Sequence, residues 1–254
     1  MLKLTFLGTG TSQGVPVVSC ECEVCQSQDS KDKRLRSSVL IETEGRTFVI
    51  DCGPDFRQQM LNANVKHIDA VLLTHEHRDH IGGLDDLRAF NYTQNEAIQV
   101  YCEQRVQEAV KQNIPYAFAE VRYPGVPEID ICNIENKSFN ICGIEIIPIR
   151  GYHYKLPVLG FRIGPLCYIT DMNVIDNSEL EKIKGVDTLV INALRFEPHI
   201  SHFTLNEAID VINKVAPKQA YLTHLSHQIG LHKELSRQLP QNVKLAFDGL
   251  ILQM

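Results

Sequence analysis

The chain has 254 residues, a formal net charge of −6, 44% hydrophobic and 22% charged residues. Those values exclude disorder, collagen and coiled coil, and a chain this long buries a sizeable core without disulfides. The acidic balance argues against a protein that holds nucleic acid mainly by neutralising phosphates, and no stretch approaches the roughly 18 consecutive apolar residues of a membrane span.

The first predicted element is a strand over Met1 to Leu7, closed by Gly8 and Gly10. Its apolar run is too short for a signal peptide, so a cytoplasmic setting is expected. The eight cysteines are then reduced, and clustered cysteines point to metal before disulfide. Gly8-Thr-Gly10-Thr-Ser12 is a Gly-rich loop after a strand. Without an acidic partner at dinucleotide distance it reads as a tight turn that could line a pocket. Cys20-Glu-Cys22-Glu-Val-Cys25 is a three-thiolate grip. Tetrahedral zinc needs a fourth ligand, and His227 is the candidate, giving a closed structural Cys3His site that ties the N-terminal loop to the C-terminal half. Lys31 to Arg36 reads as a solvated charged face, with Arg34 or Arg36 as a phosphate contact.

Four short apolar runs end at a polar residue. They are Thr47 to Ile50 before Asp51, Ala70 to Leu73 before Thr74-His75, Leu166 to Thr170 before Asp171, and Ala220 to Thr223 before His224. Such runs read as strands covered on both faces. Strand ends carry loops and chemistry, so the four ends point to one shared site. Asp51 is expected to hydrogen-bond the loop after the second run. Helices are predicted over Leu84 to Phe90 and Arg105 to Lys111, and a strand pair turning near Cys142-Gly143 within residues 130–149. Thr204-Leu-Asn-Glu207 is a capping box that opens an amphipathic helix stopped by Pro217. Strands and helices mix along one chain, which predicts sheets covered by helices. A single domain over 1–254 is expected, because the candidate ligands spread from residue 51 to residue 227. Cys52, Cys102, Cys132, Cys142 and Cys167 are expected to be buried and reduced, and His67, His199 and His232 to lie on the surface.

The densest signal is Thr74-His75-Glu76-His77-Arg78-Asp79-His80. Imidazole and carboxylate suit Zn²⁺, Mn²⁺ or Fe²⁺. Histidines at i and i+2 can converge on one ion, while Asp79 and His80 turn to a second. Spacings of 2 and 5 from His75 exclude the helical His-Glu-x-x-His pattern.

Written His-x-His-x-Asp-His, this segment resembles the signature of the metallo-β-lactamase superfamily. His153 in Gly151-Tyr-His, Asp171 after Cys-Tyr-Ile-Thr, and His224 in Tyr-Leu-Thr-His match its later ligand positions. The resemblance implies an α/β four-layer αββα sandwich with mixed sheets. It also implies two divalent catalytic metals, Zn or Mn: His75, His77 and His153 on one, Asp79, His80 and His224 on the other, and Asp171 bridging. Leu7-Gly-Thr-Gly-Thr-Ser12, the Cys20/Cys22/Cys25 cluster, His227 and Ser201-His202-Phe-Thr204 narrow it. They resemble the phosphodiesterase branch that includes the 5-phosphoribosyl 1,2-cyclic phosphate phosphodiesterase of phosphonate degradation. That likeness implies hydrolysis of a small, cyclic phosphodiester by a metal-bridging hydroxide, with one further structural zinc. His202 matches the branch's catalytic histidine, as general acid or phosphate binder, and a homodimer is implied. The partner is a small molecule, with neither nucleic acid nor membrane expected. Two alternatives stand: a tRNA 3′-processing endonuclease, which the acidic balance and the lack of a long basic arm disfavour, and a non-hydrolytic cofactor-assembly protein on the same fold.

Overall fold

The computed structural model describes residues 1–254, and the expected single domain covers two compact units. The first unit comprises Met1–Leu7, Ser38–Glu135 and Ile251–Met254. Its strands are β1 (Leu2–Gly8), β2 (Ser38–Thr43), β3 (Arg46–Ile50), β4 (Ala70–Leu72), β5 (Ile98–Cys102), β6 (Ile129–Asn133) and β14 (Ile251–Gln253). They form one mixed sheet in the order β14-β1-β2-β3-β4-β5-β6. β2 and β3 are antiparallel, whereas β3, β4, β5 and β6 run parallel. The helices of this unit are α2 (Phe56–Asn62), α3 (Arg78–Ile81), α4 (Arg88–Gln94) and α5 (Gln104–Asn113). Phe56, Met60, Phe90, Val106 and Val110 from these helices share a core with Val49, Val71 and Val100 of the strands.

The second unit comprises Gly8–Ser37 and Asn136–Leu250. Its strands are β7 (Phe139–Ile141), β8 (Ile144–His153), β9 (Leu156–Ile163), β10 (Leu166–Tyr168), β11 (Thr188–Asn192), β12 (Gln219–Thr223) and β13 (Val243–Leu245), in the order β13-β12-β11-β10-β9-β8-β7. β10 to β13 are parallel, and β9 is antiparallel to both β8 and β10. Its helices are α1 (Glu23–Gln26), α6 (Asn177–Ile183), α7 (Leu205–Val215) and α8 (His232–Leu235). The capping box at Thr204 and Glu207 is formed. It starts α7 so that Leu205, Ala208, Ile212 and Val215 pack on Leu189, Ile191 and Leu222. β11 is buried along its whole length, as its continuous apolar run predicts.

Four sequence expectations need correction. Arg34 is only 5% exposed, not part of a solvated face. It donates to Thr9 Oγ1 (2.8 Å), to the Ala246 carbonyl (2.7 Å) and to His232 Nδ1 (3.2 Å). Those acceptors replace water, and the same contacts bury His232, which was expected on the surface. Burial pulls the Arg34 guanidinium down to about 10 against the nearby Asp248 and Asp32. Cys142 is exposed, because it occupies the left-handed turn between β7 and β8 (φ 51°), and Cys132 is half-buried.

Parallel pairing sets the position of the chemistry. β3 and β4 end at the same edge of the first sheet, so Asp51 and the His75–His80 loop leave it side by side. In the second sheet β8, β10, β11 and β12 all run the same way, so His153, Asp171, the 193–204 loop and His224 leave one edge. Close backbone contact then fixes α3. Cys52 N donates to the His80 carbonyl (2.7 Å), and Gly83 N donates to the Cys52 carbonyl (2.8 Å). A Cβ on Gly83 would overlap the Gly53 carbonyl, and one on Gly53 would overlap that of Asp79. Gly83→Ala should therefore push the 52–53 segment off α3. Denaturant titration should show a loss of about 1–3 kcal/mol, with less metal bound. Wild-type stability in that variant would show that the close approach is dispensable.

Candidate metal centre

The predicted ligands divide between the units. His75, His77, Asp79 and His80 belong to the first; His153, Asp171, His202, His224 and the Cys20/Cys22/Cys25/His227 group belong to the second. Within the first unit, Asp51 organises the motif. It is fully buried at the end of β3, in left-handed backbone (φ 65°). A residue other than Gly is uncommon there, and Asp, Asn and His are the side chains that tolerate it best. One carboxylate oxygen accepts from Thr74 N (2.9 Å), and the other is 2.7 Å from His80 Nδ1. The Thr74 hydroxyl also donates to this carboxylate, at 2.9 Å to Oδ2.

These contacts decide the histidine tautomers. A carboxylate only accepts, so His80 Nδ1 carries the proton and Nε2 keeps the lone pair. The single Thr74 hydroxyl proton goes to Asp51, so Thr74 Oγ1 accepts from His75 Nδ1 (2.9 Å), and His75 Nε2 likewise keeps its lone pair. Both Nε2 atoms are buried. Asp79 Oδ2 lies 3.2 Å from His80 Nε2, a separation suited to two lone-pair donors on one cation. His77 stands exposed at the head of α3, its ring 4.6 Å from that of His75.

The second unit repeats the logic. His153 Nδ1 faces the Ser201 carbonyl at 2.8 Å, so that nitrogen is protonated and Nε2 keeps the lone pair. The Ser37 hydroxyl donates to the Gly10 carbonyl (2.9 Å), so at 3.1 Å it accepts from His224 Nδ1. Asp171 Oδ1, another acceptor, is 3.0 Å from that nitrogen. Asp171 (φ 54°) and His224 (φ 55°) both sit in left-handed backbone. Asn192 holds the turn beside Asp171 by bonding both the N–H and the carbonyl of Met172. His153, Asp171 and His202 bring ligand atoms within 4.8 Å of one another. His202 is 8% exposed, its ring 4.4 Å from His153 and 4.8 Å from His224. Its Nδ1 is buried without a hydrogen-bond partner, 4.0 Å from Asp171 Oδ2. Burial pushes this imidazole down to about 2 despite the opposing charge of Asp171.

Cys20, Cys22, Cys25 and His227 come together in the second unit. His227 Nδ1 lies 3.3 Å from Cys20 Sγ, 3.3 Å from Cys22 Sγ and 3.6 Å from Cys25 Sγ. Tetrahedral zinc with Zn–S of about 2.3 Å and Zn–N of about 2.0 Å separates such ligands by about 3.5 Å, so the donor set fits zinc. The Cys25 amide draws the Cys22 thiol down to about 6, whereas burial pushes Cys25 up to about 11.

Some contributors carry no sequence signal. Ser37, Thr74 and the Ser201 carbonyl each accept one imidazole N–H. His199, expected on the surface, is half-buried with its ring 5.0 Å from His202.

The fold and these donor sets define the domain of a metal-dependent hydrolase. The chain belongs to the β-lactamase superfamily, whose domain matches residues 46–225. A crystal structure of a new diphosphatase from the PhnP family is 37% identical, covers 99% of this chain and 96% of its own, and superposes with a TM-score of 0.93. This places the chain in the phosphodiesterase branch and confirms the α/β fold of two mixed sheets. The octanoyltransferase of Porphyromonas gingivalis is 43% identical over 98% of this chain, which spans only 51% of that protein's length. Human tRNase Z, short form, shares the fold at 21% identity and a TM-score of 0.71, covering 99% of this chain and 98% of its own. No helix is long and apolar enough to cross a membrane.

Two predictions follow from the donor geometry. Asp51→Asn puts an amide N–H within reach of His80 Nδ1 and favours the wrong tautomer, so metal affinity should fall about 10–100-fold in a chelator competition. Unchanged affinity would refute the tautomer argument. At the cysteine site, taking up zinc at pH 7 must release the Cys25 proton. Lowering the pH past about 6 adds competition from protonation of Cys22. Zinc should bind more weakly at pH 5.5 than at 7.5, and equal affinity would exclude thiolate ligation.

Proposed function

We propose that the chain is a dinuclear metal-dependent phosphodiesterase acting on a small substrate whose phosphorus carries two ester or anhydride links. The observation that carries this reading is the common tautomer of His75, His80, His153 and His224. Each has Nδ1 turned to an acceptor, leaving Nε2 as a lone-pair donor. With His77, Asp79 and Asp171 they make the seven-ligand set of the family signature. The diphosphatase named for the solved relative supports a phosphoryl centre as the target. Cys20, Cys22, Cys25 and His227 would hold a structural zinc. A cytoplasmic setting belongs to the same reading, since thiolates require reduced cysteines. So does the homodimer implied by the resemblance.

When bound, two divalent cations would supply a water acidified from 15.7 to about 7 and a positive field at a phosphoryl oxygen. The chain's own residues do the rest. Asp51, Thr74, Ser37 and the Ser201 carbonyl aim the imidazoles. Burial favours the neutral form of His202, whose N–H would donate to a phosphoryl oxygen. The negative charge of a bound phosphodiester favours the imidazolium, which can then protonate the leaving oxygen.

His202→Ala should retain the catalytic metals and lose at least ~10²-fold in turnover. Loss of metal from that variant would make His202 a ligand with His153 and Asp171 instead. Asp171→Ala should lose metal and activity together. Bis-p-nitrophenyl phosphate, a ribose cyclic phosphate, a dinucleotide diphosphate and precursor tRNA, each with Zn²⁺ or Mn²⁺, form the substrate test. Cleavage of the tRNA alone would favour the endonuclease reading, and metal-loaded protein that cleaves none would favour the cofactor-assembly reading.

A further inference from the structure

We propose that a cavity of the second unit, walled by β12, β13, α8 and the Ser30–Asp32 turn, binds a small phosphomonoester with an apolar body. None of the expected metal ligands lines it, so the proposal stands apart from the phosphodiesterase reading.

The cavity holds about 300 Å³, the small end of the range for ligand sites. Val243, Leu245, Phe247 and Leu250 give it an apolar wall. Lys31, Lys244 and His232 bring donors to it, and no carboxylate lines it. Both lysines are exposed, and neither ammonium is paired with a carboxylate. Lys31 Nζ stands 4.6 Å from the centre of the Phe247 ring. The same ring meets that of His232 edge-on, with centres 5.7 Å apart. One aromatic side chain therefore joins a free cation to the imidazole of the cavity.

His232 is the buried part of the site, at 7% exposed. Arg34 Nη2 lies 3.2 Å from its Nδ1. A guanidinium only donates, so Nδ1 accepts and the neutral ring carries its proton on Nε2. That N–H has no acceptor within the chain. An anion in the cavity supplies one, and hydrogen bonds to charged groups are the stronger kind. Burial, Arg34 and Lys31 push this imidazole down to about 4, against Asp32 and Asp29. The two cations thus outweigh the two acids at the ring.

The neighbouring acids are committed to donors of the chain. Asp32 accepts from Ser27 Oγ (2.6 Å) and from His232 N (2.8 Å), and Asp29 accepts from Lys31 N (2.9 Å). Asp248 takes the Thr9 hydroxyl and the Leu35 amide. Two unpaired ammoniums and one imidazole N–H match the charge of about −1.5 to −2 and the three oxygens of a phosphomonoester. The apolar wall matches an aryl or alkyl group on its ester oxygen.

The test uses zinc-loaded protein carrying ¹⁵N-labelled histidine, titrated with phenylphosphonate, whose P–C bond resists hydrolysis. The His232 imidazole signal is identified by its loss in His232→Gln or by sequential assignment. It should shift and saturate with a Kd below about 1 mM. Neutral benzyl alcohol at equal concentration should leave it in place. Lys31→Glu and Lys244→Glu, both at exposed positions, should each weaken that Kd at least about fivefold, since each removes an attraction and adds a repulsion. Following one imidazole separates this cavity from phosphonate held at the catalytic metals. No saturating shift of His232 in that range, an equal shift with benzyl alcohol, or an affinity unchanged in both lysine variants overturns the site.

Discussion

The site depends on where one proton sits on each imidazole. A neutral histidine has one N–H and one lone pair, and only the lone pair can hold a metal. Here Nδ1 of each of His75, His80, His153 and His224 is committed to an acceptor that has no other use for a proton. For His80 the acceptor is a buried carboxylate. For His75 and His224 it is a hydroxyl that has already spent its own proton, and for His153 a backbone carbonyl. Burial raises the Asp51 carboxyl, while His80 and Thr74 oppose it. The cost of keeping this group inside is met only while those donors stay in place. Asp51, Thr74 and His80 are therefore one interdependent group.

Backbone geometry serves the same end. Asp51, Asp171 and His224 each follow a strand and adopt left-handed φ. Such a residue ends the extended backbone of the strand. Strain of this kind persists only where surrounding bonds over-determine it. Thr74 does this for Asp51, and Asn192 holds the chain next to Asp171 from both sides of Met172. The parallel strands supply the common edge, and the left-handed residues supply the aim.

The cysteine cluster and the Arg34 network show how the second unit joins sequence-distant parts. His227 brings the three sulfurs of residues 20–25 to the loop after β12. Arg34 joins Thr9, Ala246 and His232, and Asp248 takes the Thr9 hydroxyl (2.7 Å) and the Leu35 amide (2.6 Å). Asp248 is pushed up to about 6 by burial. The Gly8–Ser12 loop, open in sequence to a reading as a pocket lining, is one of the segments this network holds.

Much of this was legible in the sequence. Ligand chemistry is written in residue type and local spacing, so His75 to His80 and Cys20 to Cys25 declared themselves, and apolar runs marked the strands that present Asp51, Asp171 and His224. Residue type also placed Thr204 and Glu207 at the start of α7. Nothing in composition or spacing reports which hydroxyl faces which imidazole. Ser37 and His224 are 187 residues apart, and such pairs exist only once the sheet register is set. The same reason hid the burial of Arg34 and His232 and the nearness of His199 to His202. A local pattern names what a side chain can do; its neighbours in space, which fix its proton and its charge, are chosen by tertiary packing alone.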